Sequence, residues 1–233
     1  MKRPILFALI CLLFVACKKK DPGAEIYIDP VIADNYTADA QQLLFRLLQN
    51  GSVSTDKDKP QFNQGELNKI LANLQAVYNL KTPQSDSAMK MHVYPHISLS
   101  GISLQVDKNS TEGQKVLSYT PTDAGFNNLM SKYGFTFYRS LYTPSFGFVA
   151  ITTNAKYNIP PLLTAFKSFP YIISAEQDGA IGDGNDITYT IMPSGVDIGF
   201  AMKSGDCPAG CINSYGWRYH VAANYKVTYL GRF

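Results

Sequence analysis

The sequence predicts an α+β protein, and three observations support this. Apolar residues recur at helical spacing between residues 37 and 79, whereas they alternate along most segments after residue 91. From residue 97 the predicted elements follow the order β-α-β-β-α-β, which is that of a split βαβ or ferredoxin-like unit. Gly-rich and polar turns then separate three or four further strands between residues 187 and 233.

Composition excludes several classes of protein. Of the 233 residues, 45% are hydrophobic and 17% are charged, which is typical of a globular chain and not of a disordered, collagen-like or polytopic membrane protein. The 21 basic residues barely exceed the 18 acidic ones, and Lys2 and Arg3 lie in a segment that we expect to be removed. Nucleic-acid binding needs a larger basic excess, so we predict no nucleic-acid partner.

The first 17 residues have the pattern of an export signal. Lys2 and Arg3 precede an apolar stretch at residues 5–15, which is too short to span a bilayer but long enough for a signal-peptide core. Residues 14–17 (Phe-Val-Ala-Cys) resemble the lipobox of bacterial lipoproteins, in which the cysteine receives diacylglycerol and becomes the new N-terminus. The resemblance implies a signal peptide at residues 1–16 and a membrane anchor at the acylated Cys17.

The residues after Cys17 form a polar tether. Lys-Lys-Lys-Asp-Pro-Gly at residues 18–23 is similar to the start of outer-membrane lipoproteins of Bacteroidota, some of which are displayed on the cell surface. The resemblance implies a lipid-anchored protein of the cell envelope, at the outer membrane, with the periplasmic and surface faces both open. We expect residues 17–36 to be extended anchor and tether.

Residues 37–90 are predicted to be helical. Thr37 is the expected N-cap of a first helix that closes at Asn50-Gly51, with leucines at positions 43, 44, 47 and 48 on one face. A polar loop follows at residues 52–64. A second helix is predicted at residues 64–79, where apolar residues recur at positions 67, 70, 71, 74 and 77.

Residues 91–182 contain the predicted ferredoxin-like unit. The expected strands lie at residues 91–107, 135–142, 146–153 and 171–177, with a Pro144-Ser145 turn between the second and third. The expected helices lie at 123–132, ended by Gly134, and at 159–168, with Pro160 and Pro161 in its first turn. Residues 183–233 form the C-terminal β element, with strands at 187–192, 196–202, 217–222 and 226–230.

Residues 123–178 resemble the propeptide and inhibitor family of subtilisin-like proteases. The resemblance depends on the apolar positions of both helices, on Tyr133-Gly134 and on the strand end Ala-Glu-Gln-Asp at residues 175–178. It implies that the sheet packs on protease helices. It also implies that a short segment enters the substrate cleft, namely Gln177, Asp178, Gly179 and Ala180.

Residues 205–211 read Gly-Asp-Cys-Pro-Ala-Gly-Cys and precede an aromatic strand, a block similar to that of uncharacterised exported proteins of Bacteroidota. In an oxidising compartment, Cys207 and Cys211 are expected to form a structural disulfide that closes a short loop. A redox pair and a metal site remain alternatives. Zinc would need two further ligands, and the chain has three histidines, His92, His96 and His220. We therefore predict no metal and no cofactor.

Two further groups have alternative interpretations. Asp178, Asp183, Asn185 and Asp186 lie among glycines, where they form either a plain turn or a calcium-binding loop. Tyr215, Trp217 and Tyr219 share one side of a predicted strand. They either pack in a core or form an exposed aromatic platform for a glycan or peptide.

The chain contains no familiar catalytic motif. G-x-S-x-G, H-E-x-x-H and a partnered S-x-x-K are all absent, so we assign no catalytic residue. The expected function is a lipid-anchored binding protein of the envelope, without catalysis, that contacts the membrane through Cys17 and a protein, peptide or glycan partner. The alternatives are an inhibitor or propeptide-like partner of a subtilisin-like protease, and an envelope hydrolase whose acidic and histidine side chains converge in a pocket.

Overall fold

A computed structural model describes residues 27–143 and 146–233. Within these ranges the fold is mixed α+β, with six α-helices and two four-stranded antiparallel sheets. The predicted lipidation site Cys17, the signal peptide and the Pro144-Ser145 turn lie outside the described residues.

The elements follow one another in this order. The helices are α1 (Pro30–Gln49), α2 (Gln64–Tyr78), α3 (Pro83–Ala88), α4 (Thr111–Leu117), α5 (Ala124–Tyr133) and α6 (Ile159–Lys167). The strands are β1 (Ile97–Val106), β2 (Thr136–Tyr142), β3 (Gly147–Thr152), β4 (Ile172–Gly179), β5 (Asp186–Met192), β6 (Gly195–Ser204), β7 (Asn213–Ala222) and β8 (Val227–Arg232).

The first sheet has the strand order β2-β3-β1-β4, and all neighbouring strands are antiparallel. Alternate residues of β1, such as Ile102 and Leu104, are buried against the helices that connect the strands. Phe126 of α5 lies at the centre of this core, with its ring 5.7 Å from that of Phe166 of α6. The first core is therefore built from residues 102–175 alone.

The second sheet is a meander with the order β5-β6-β7-β8. One face is covered by α1 and α2, which come from the opposite end of the chain. Leu44 and Leu74 from these helices share a core with Phe200, Trp217 and Tyr219 from the sheet. The N-terminal helices and the C-terminal strands thus form two layers that pack against each other.

Helix α1 begins at Pro30, eight residues before the first residue after the predicted N-cap Thr37, so the prediction that residues 30–36 are extended is wrong. The Asp29 side chain caps the helix by accepting the Val31 N–H at 2.9 Å, and Pro30 occupies the first turn. Ile32 and Tyr36 are buried in the core that α1 shares with the second sheet. Their burial extends the apolar face of the helix towards its N-terminus.

Two short helices, α3 and α4, were not predicted from the sequence. Thr82 and Ser85 form a reciprocal capping box at the start of α3, and the Ser110 hydroxyl caps α4 by accepting the Gly113 N–H. Because α4 precedes α5, two helices lie between β1 and β2, where one was expected. The predicted first strand is also shorter, since β1 begins at Ile97 and not at residue 91.

Asn158 links the two halves of the molecule. This buried residue precedes α6, and its side-chain amide donates to the carbonyl oxygens of Lys57 and Lys59, at 2.7 and 3.1 Å. Its backbone N–H donates to the Pro60 carbonyl oxygen at 2.8 Å. The α1–α2 loop is therefore fixed against the unit built on the first sheet.

Glu112 holds the segment between α4 and α5. Its carboxylate accepts hydrogen bonds from the backbone N–H groups of Thr122 and Asp123 and from the Thr122 hydroxyl, and it pairs with Lys115. Burial opposes ionisation of Glu112, but these bonds outweigh burial and hold its pKa at about 2.

Replacing Glu112 with glutamine should lower the free energy of unfolding at neutral pH by about 1 to 3 kcal/mol, because several hydrogen bonds to a charged group are weakened. An unfolded glutamate titrates near about 4.3, above the folded value. The stabilisation is therefore complete above that pH and is lost as the pH falls towards 2. Urea unfolding at neutral and acidic pH would show that the free energy of unfolding depends less on pH in the variant than in the wild-type protein. Glu66→Gln is the control, since Glu66 forms a surface pair with Lys69, and it should change stability by less than about 1 kcal/mol.

Candidate functional site

A cleft lies where α1 and α2 meet the end of the second sheet. Its volume is about 320 Å³, and its walls are mostly aliphatic. Leu44 and Leu47 come from the last turns of α1, Ile70 from α2, and Val196 and Val221 from β6 and β7. The cleft is therefore lined by both N-terminal helices and by the C-terminal strands.

The local structure explains why polar groups gather at one rim of this cleft. Lys69 and Asn73 are four residues apart on α2, so they lie on the same side of the helix. Tyr189 and Ile191 are two residues apart on β5 and share a face of the strand. The helix and the edge strand therefore present their side chains to each other across the opening.

The polar rim offers hydrogen-bond donors. The Asn73 amide donates to the Tyr189 hydroxyl oxygen at 2.7 Å, and Lys69 pairs with Glu66 at 2.8 Å. Burial raises the pKa of Tyr189 to about 12, so the phenol is protonated at neutral pH. Because its oxygen accepts from Asn73, the hydroxyl hydrogen is directed to another acceptor. A ligand carbonyl or carboxylate suits that position.

Tyr225 borders the same cleft from the β7–β8 turn. Its backbone has φ 62°, in the left-handed region that bulky residues rarely adopt. Its side chain also lines a neighbouring depression of about 350 Å³, beside Ala76 of α2 and the C-cap residue Asn79. Tyr225 therefore lines two depressions along α2.

The aromatic strand forms part of the core. Trp217 and Tyr219 are 5% and 0% exposed, whereas Tyr215 is 50% exposed. The Tyr215 hydroxyl donates to the Met202 sulfur at 2.9 Å. An exposed platform of the three rings is therefore not formed, and core packing explains Trp217 and Tyr219.

Cys207 and Cys211 form a disulfide, as predicted. The Asp183 carboxylate supports the loop by accepting the N–H groups of Gly205 and Cys207, at 2.6 and 3.0 Å. These bonds lower the pKa of Asp183.

The four residues of the possible calcium loop do not converge. Asp178 accepts the Ser103 hydroxyl at 2.6 Å, Asp183 supports the disulfide loop, and Asp186 pairs with Arg46 and Lys203, both at 2.8 Å. The Asn185 carbonyl oxygen accepts the Tyr94 N–H. In the part of the chain that the structure describes, no three His, Cys, Asp or Glu side chains are placed to hold a metal ion.

The segment expected to contact a protease is paired with β1. Gln177 and Gly179 belong to β4 and lie opposite Ile102 and Ile97. The Ala180 N–H continues the pairing by donating to the His96 carbonyl oxygen at 3.0 Å. These residues could enter a protease cleft as an extended tail only after leaving β1.

A buried carboxylate that the sequence did not reveal lies near the junction of the two halves. Asp39 of α1 accepts the Val93 N–H at 2.6 Å and lies 2.7 Å from His92 Nδ1. Burial raises the pKa of Asp39, against the lowering effect of these two bonds. Asp39 and His92 line a cavity of about 310 Å³ together with Lys156. The sequence feature that could have indicated this buried carboxylate is an aspartate among the apolar positions of a helix.

The comparisons with known proteins identify no relative. No protein-family model matches the chain, and no curated protein or solved structure matches it significantly. Within residues 27–143 and 146–233, no helix combines the length and the apolar character needed to cross a membrane.

Proposed function

We propose that the protein is a lipid-anchored binding protein of the cell envelope and that it binds its partner in the cleft between α2 and the second sheet. The observation that carries this proposal is the cavity of about 320 Å³ with aliphatic walls and a hydroxyl and an ammonium group at one rim. Ligand sites are typically concave and apolar, with a few polar groups that fix orientation. Anchoring through Cys17 and the envelope location rest on the lipobox-like sequence.

The partner we infer is a protein or peptide that inserts one apolar side chain. The volume lies at the lower end of the usual range of roughly 300 to 1,000 Å³ for ligand pockets, which suits a single aliphatic or aromatic group. The peptide backbone next to that side chain would accept a hydrogen bond from Tyr189 and lie near Lys69. A glycan is less favoured, because the walls formed by Leu44, Leu47 and Ile70 are aliphatic and the aromatic rings of Tyr189 and Tyr225 lie at the border of the cleft.

We also infer that residues 97–179 form a ferredoxin-like unit. The strand order β2-β3-β1-β4, the antiparallel pairing of all neighbours and the helices between β1 and β2 and between β3 and β4 support this.

Peptide titration followed by NMR would test the cleft. The mature chain from residue 17, with Cys17→Ser, would be titrated with short peptides that carry a central Leu, Phe or Ser. We expect the Leu or Phe peptides to shift amide signals of α2 and β5, and the Ser peptide to shift none.

A matched pair of substitutions would locate the binding. Ala223 lies at the mouth of the cleft and Ala155 lies far from it, and both are exposed. Ala223→Trp should weaken binding at least about tenfold by filling the opening, whereas Ala155→Trp should leave it unchanged. Equal affinity of the two variants, or signal shifts confined to the first sheet, would overturn the proposal.

A further inference from the structure

The second sheet has a polar outer face, away from α1 and α2. Asp197 of β6 and His220 of β7 lie directly opposite each other in the strand pairing, so their side chains are on the same face. Their neighbours Val196, Ile198 and Val221 are buried in the core on the other face. Asp197 and His220 therefore point away from the helices.

Three side chains on this face form a chain of contacts. His220 Nδ1 lies 2.7 Å from the Asp197 carboxylate, and His220 Nε2 lies 3.4 Å from the Ser194 hydroxyl. If Nδ1 donates its proton to Asp197, then Nε2 carries the lone pair that faces Ser194. The order is that of a catalytic triad, in which a serine is the nucleophile, a histidine is the base and an aspartate orients the histidine. The distances between such groups are often longer in the absence of substrate. We call Ser194, His220 and Asp197 the relay.

Gly195 brings the serine to the histidine. Ser194 lies in the turn between β5 and β6, and the next residue, Gly195, has φ 152°. A Cβ at position 195 would lie 2.1 Å from the Val221 carbonyl oxygen, so any side chain would push the turn away from β7. Glycine allows the close approach that places Ser194 beside His220.

A polar depression adjoins the relay. It has a volume of about 370 Å³ and is lined by Thr188, Thr190, Asp197, Gly199 and Arg218. The Arg218 guanidinium lies 5.2 Å from the centre of the Phe233 ring, and no carboxylate of the described residues pairs with it. Arg218 is therefore available to bind a ligand carboxylate.

We propose that Ser194, His220 and Asp197 hydrolyse a carboxylic ester that carries a second, negatively charged group, which Arg218 binds. The activity goes beyond the proposed binding function and does not depend on the cleft. No local motif reveals it, because the three residues come from a turn and two strands. It would replace the expectation that the protein is without catalysis.

The reaction proceeds in two balanced steps. Ser194 Oγ attacks the carbonyl carbon while His220 Nε2 takes the hydroxyl proton, and the bond to the alcohol oxygen breaks as His220 returns that proton to the leaving alcohol. Water then attacks the acylated serine and gives its proton to His220. The proton returns to Ser194 Oγ as the carboxylic acid leaves. Since Ser194 lies in an exposed turn, we expect activated esters to react and peptide bonds to resist.

Covalent labelling would test the nucleophile. The mature chain with Cys17→Ser would be incubated with a fluorophosphonate probe, and mass spectrometry would locate the modified residue. We expect one phosphonylation, at Ser194, none in Ser194→Ala, and a rate at least about 100-fold lower in His220→Ala. Ser214→Ala, another exposed serine, and His92→Ala, the other aspartate-paired histidine, should label at the wild-type rate.

Ester hydrolysis would test the substrate class. The p-nitrophenyl monoester of succinate should be cleaved faster than p-nitrophenyl acetate, and Arg218→Ala should reduce that preference about tenfold while the acetate rate is unchanged. Circular dichroism would verify that each variant is folded. Labelling of another residue, an equal rate in His220→Ala, or no labelling of Ser194 in the folded protein would overturn the proposal. Ala155→Trp, in the unit built on the first sheet, should label at the wild-type rate. Peptide binding and labelling are separate measurements, so the failure of one test leaves the result of the other standing.

Discussion

Replacing Trp217 with alanine should lower the free energy of unfolding by about 3 to 5 kcal/mol, which is the usual cost of deleting a buried aromatic side chain. Trp217 is 5% exposed and lies in the core between the second sheet and helices α1 and α2. Its removal leaves a cavity that the covering helices can fill only in part. Urea unfolding followed by far-ultraviolet circular dichroism measures the change.

Tyr215→Ala is the matched control for this prediction. Tyr215 precedes Trp217 by two residues on the same side of β7 but is 50% exposed, so its loss should cost less than about 1 kcal/mol. The chain has one tryptophan, whose emission reports its surroundings directly. An emission spectrum that does not change on unfolding, or equal costs for the two variants, would contradict the burial and restore the aromatic-platform alternative.

Replacing Phe126 with alanine should also destabilise the protein by about 3 to 5 kcal/mol. The Phe126 ring is fully buried in the first core, 5.7 Å from the ring of Phe166 and 5.5 Å from that of Phe169. Edge-to-face contacts of this kind add to the energy of burial. Thermal and urea unfolding would measure the loss.

Tyr138→Ala provides the comparison in the same unit, because this ring on β2 is exposed and its removal should change stability by about 0.5 kcal/mol or less. Phe126 and Trp217 belong to different cores, so the double variant should lose the sum of the single losses within about 0.5 kcal/mol. A strong departure from additivity would mean that the two cores are one energetic unit.

The two sites proposed for this protein lie on opposite faces of one sheet. The cleft uses Val196 and Val221, which face the helices, whereas the relay uses their neighbours Asp197 and His220. Side chains of successive strand residues point to opposite faces, so one pair of strands serves both sites. The two sites meet at Gly195, which lines the cleft and directly follows Ser194, so a substitution at Gly195 would affect both.

Local patterns in the sequence were enough to locate most of the secondary structure. The apolar spacing of α2, the glycine after α5 and the prolines at the start of α6 place these helices within two residues of their observed bounds. The disulfide was predicted because two nearby cysteines, in a chain that we expect to be exported, have few alternative partners. The first two turns of α1 were missed, because Ile32 and Tyr36 precede the leucine-rich pattern. Their burial in the core is seen only in the tertiary structure.

The candidate sites could not be predicted from local sequence patterns. Trp217 fits a buried strand or an exposed platform equally well, since alternation shows which residues share a face and not what covers that face. Ser194 and His220 are 26 residues apart in the chain and meet only because β5, β6 and β7 pair in a particular register.

The sequence by itself determined most of the helices and strands, the α+β class and the short disulfide loop, because these depend on neighbours within a few residues. The tertiary structure alone decided that α1 and α2 cover the C-terminal sheet, and it thereby created the cleft and exposed the opposite face. The physical reason is that an apolar helix face gains free energy on any apolar sheet of matching shape. Which sheet it covers depends on how the whole chain packs, and that information is spread over residues far apart in the sequence.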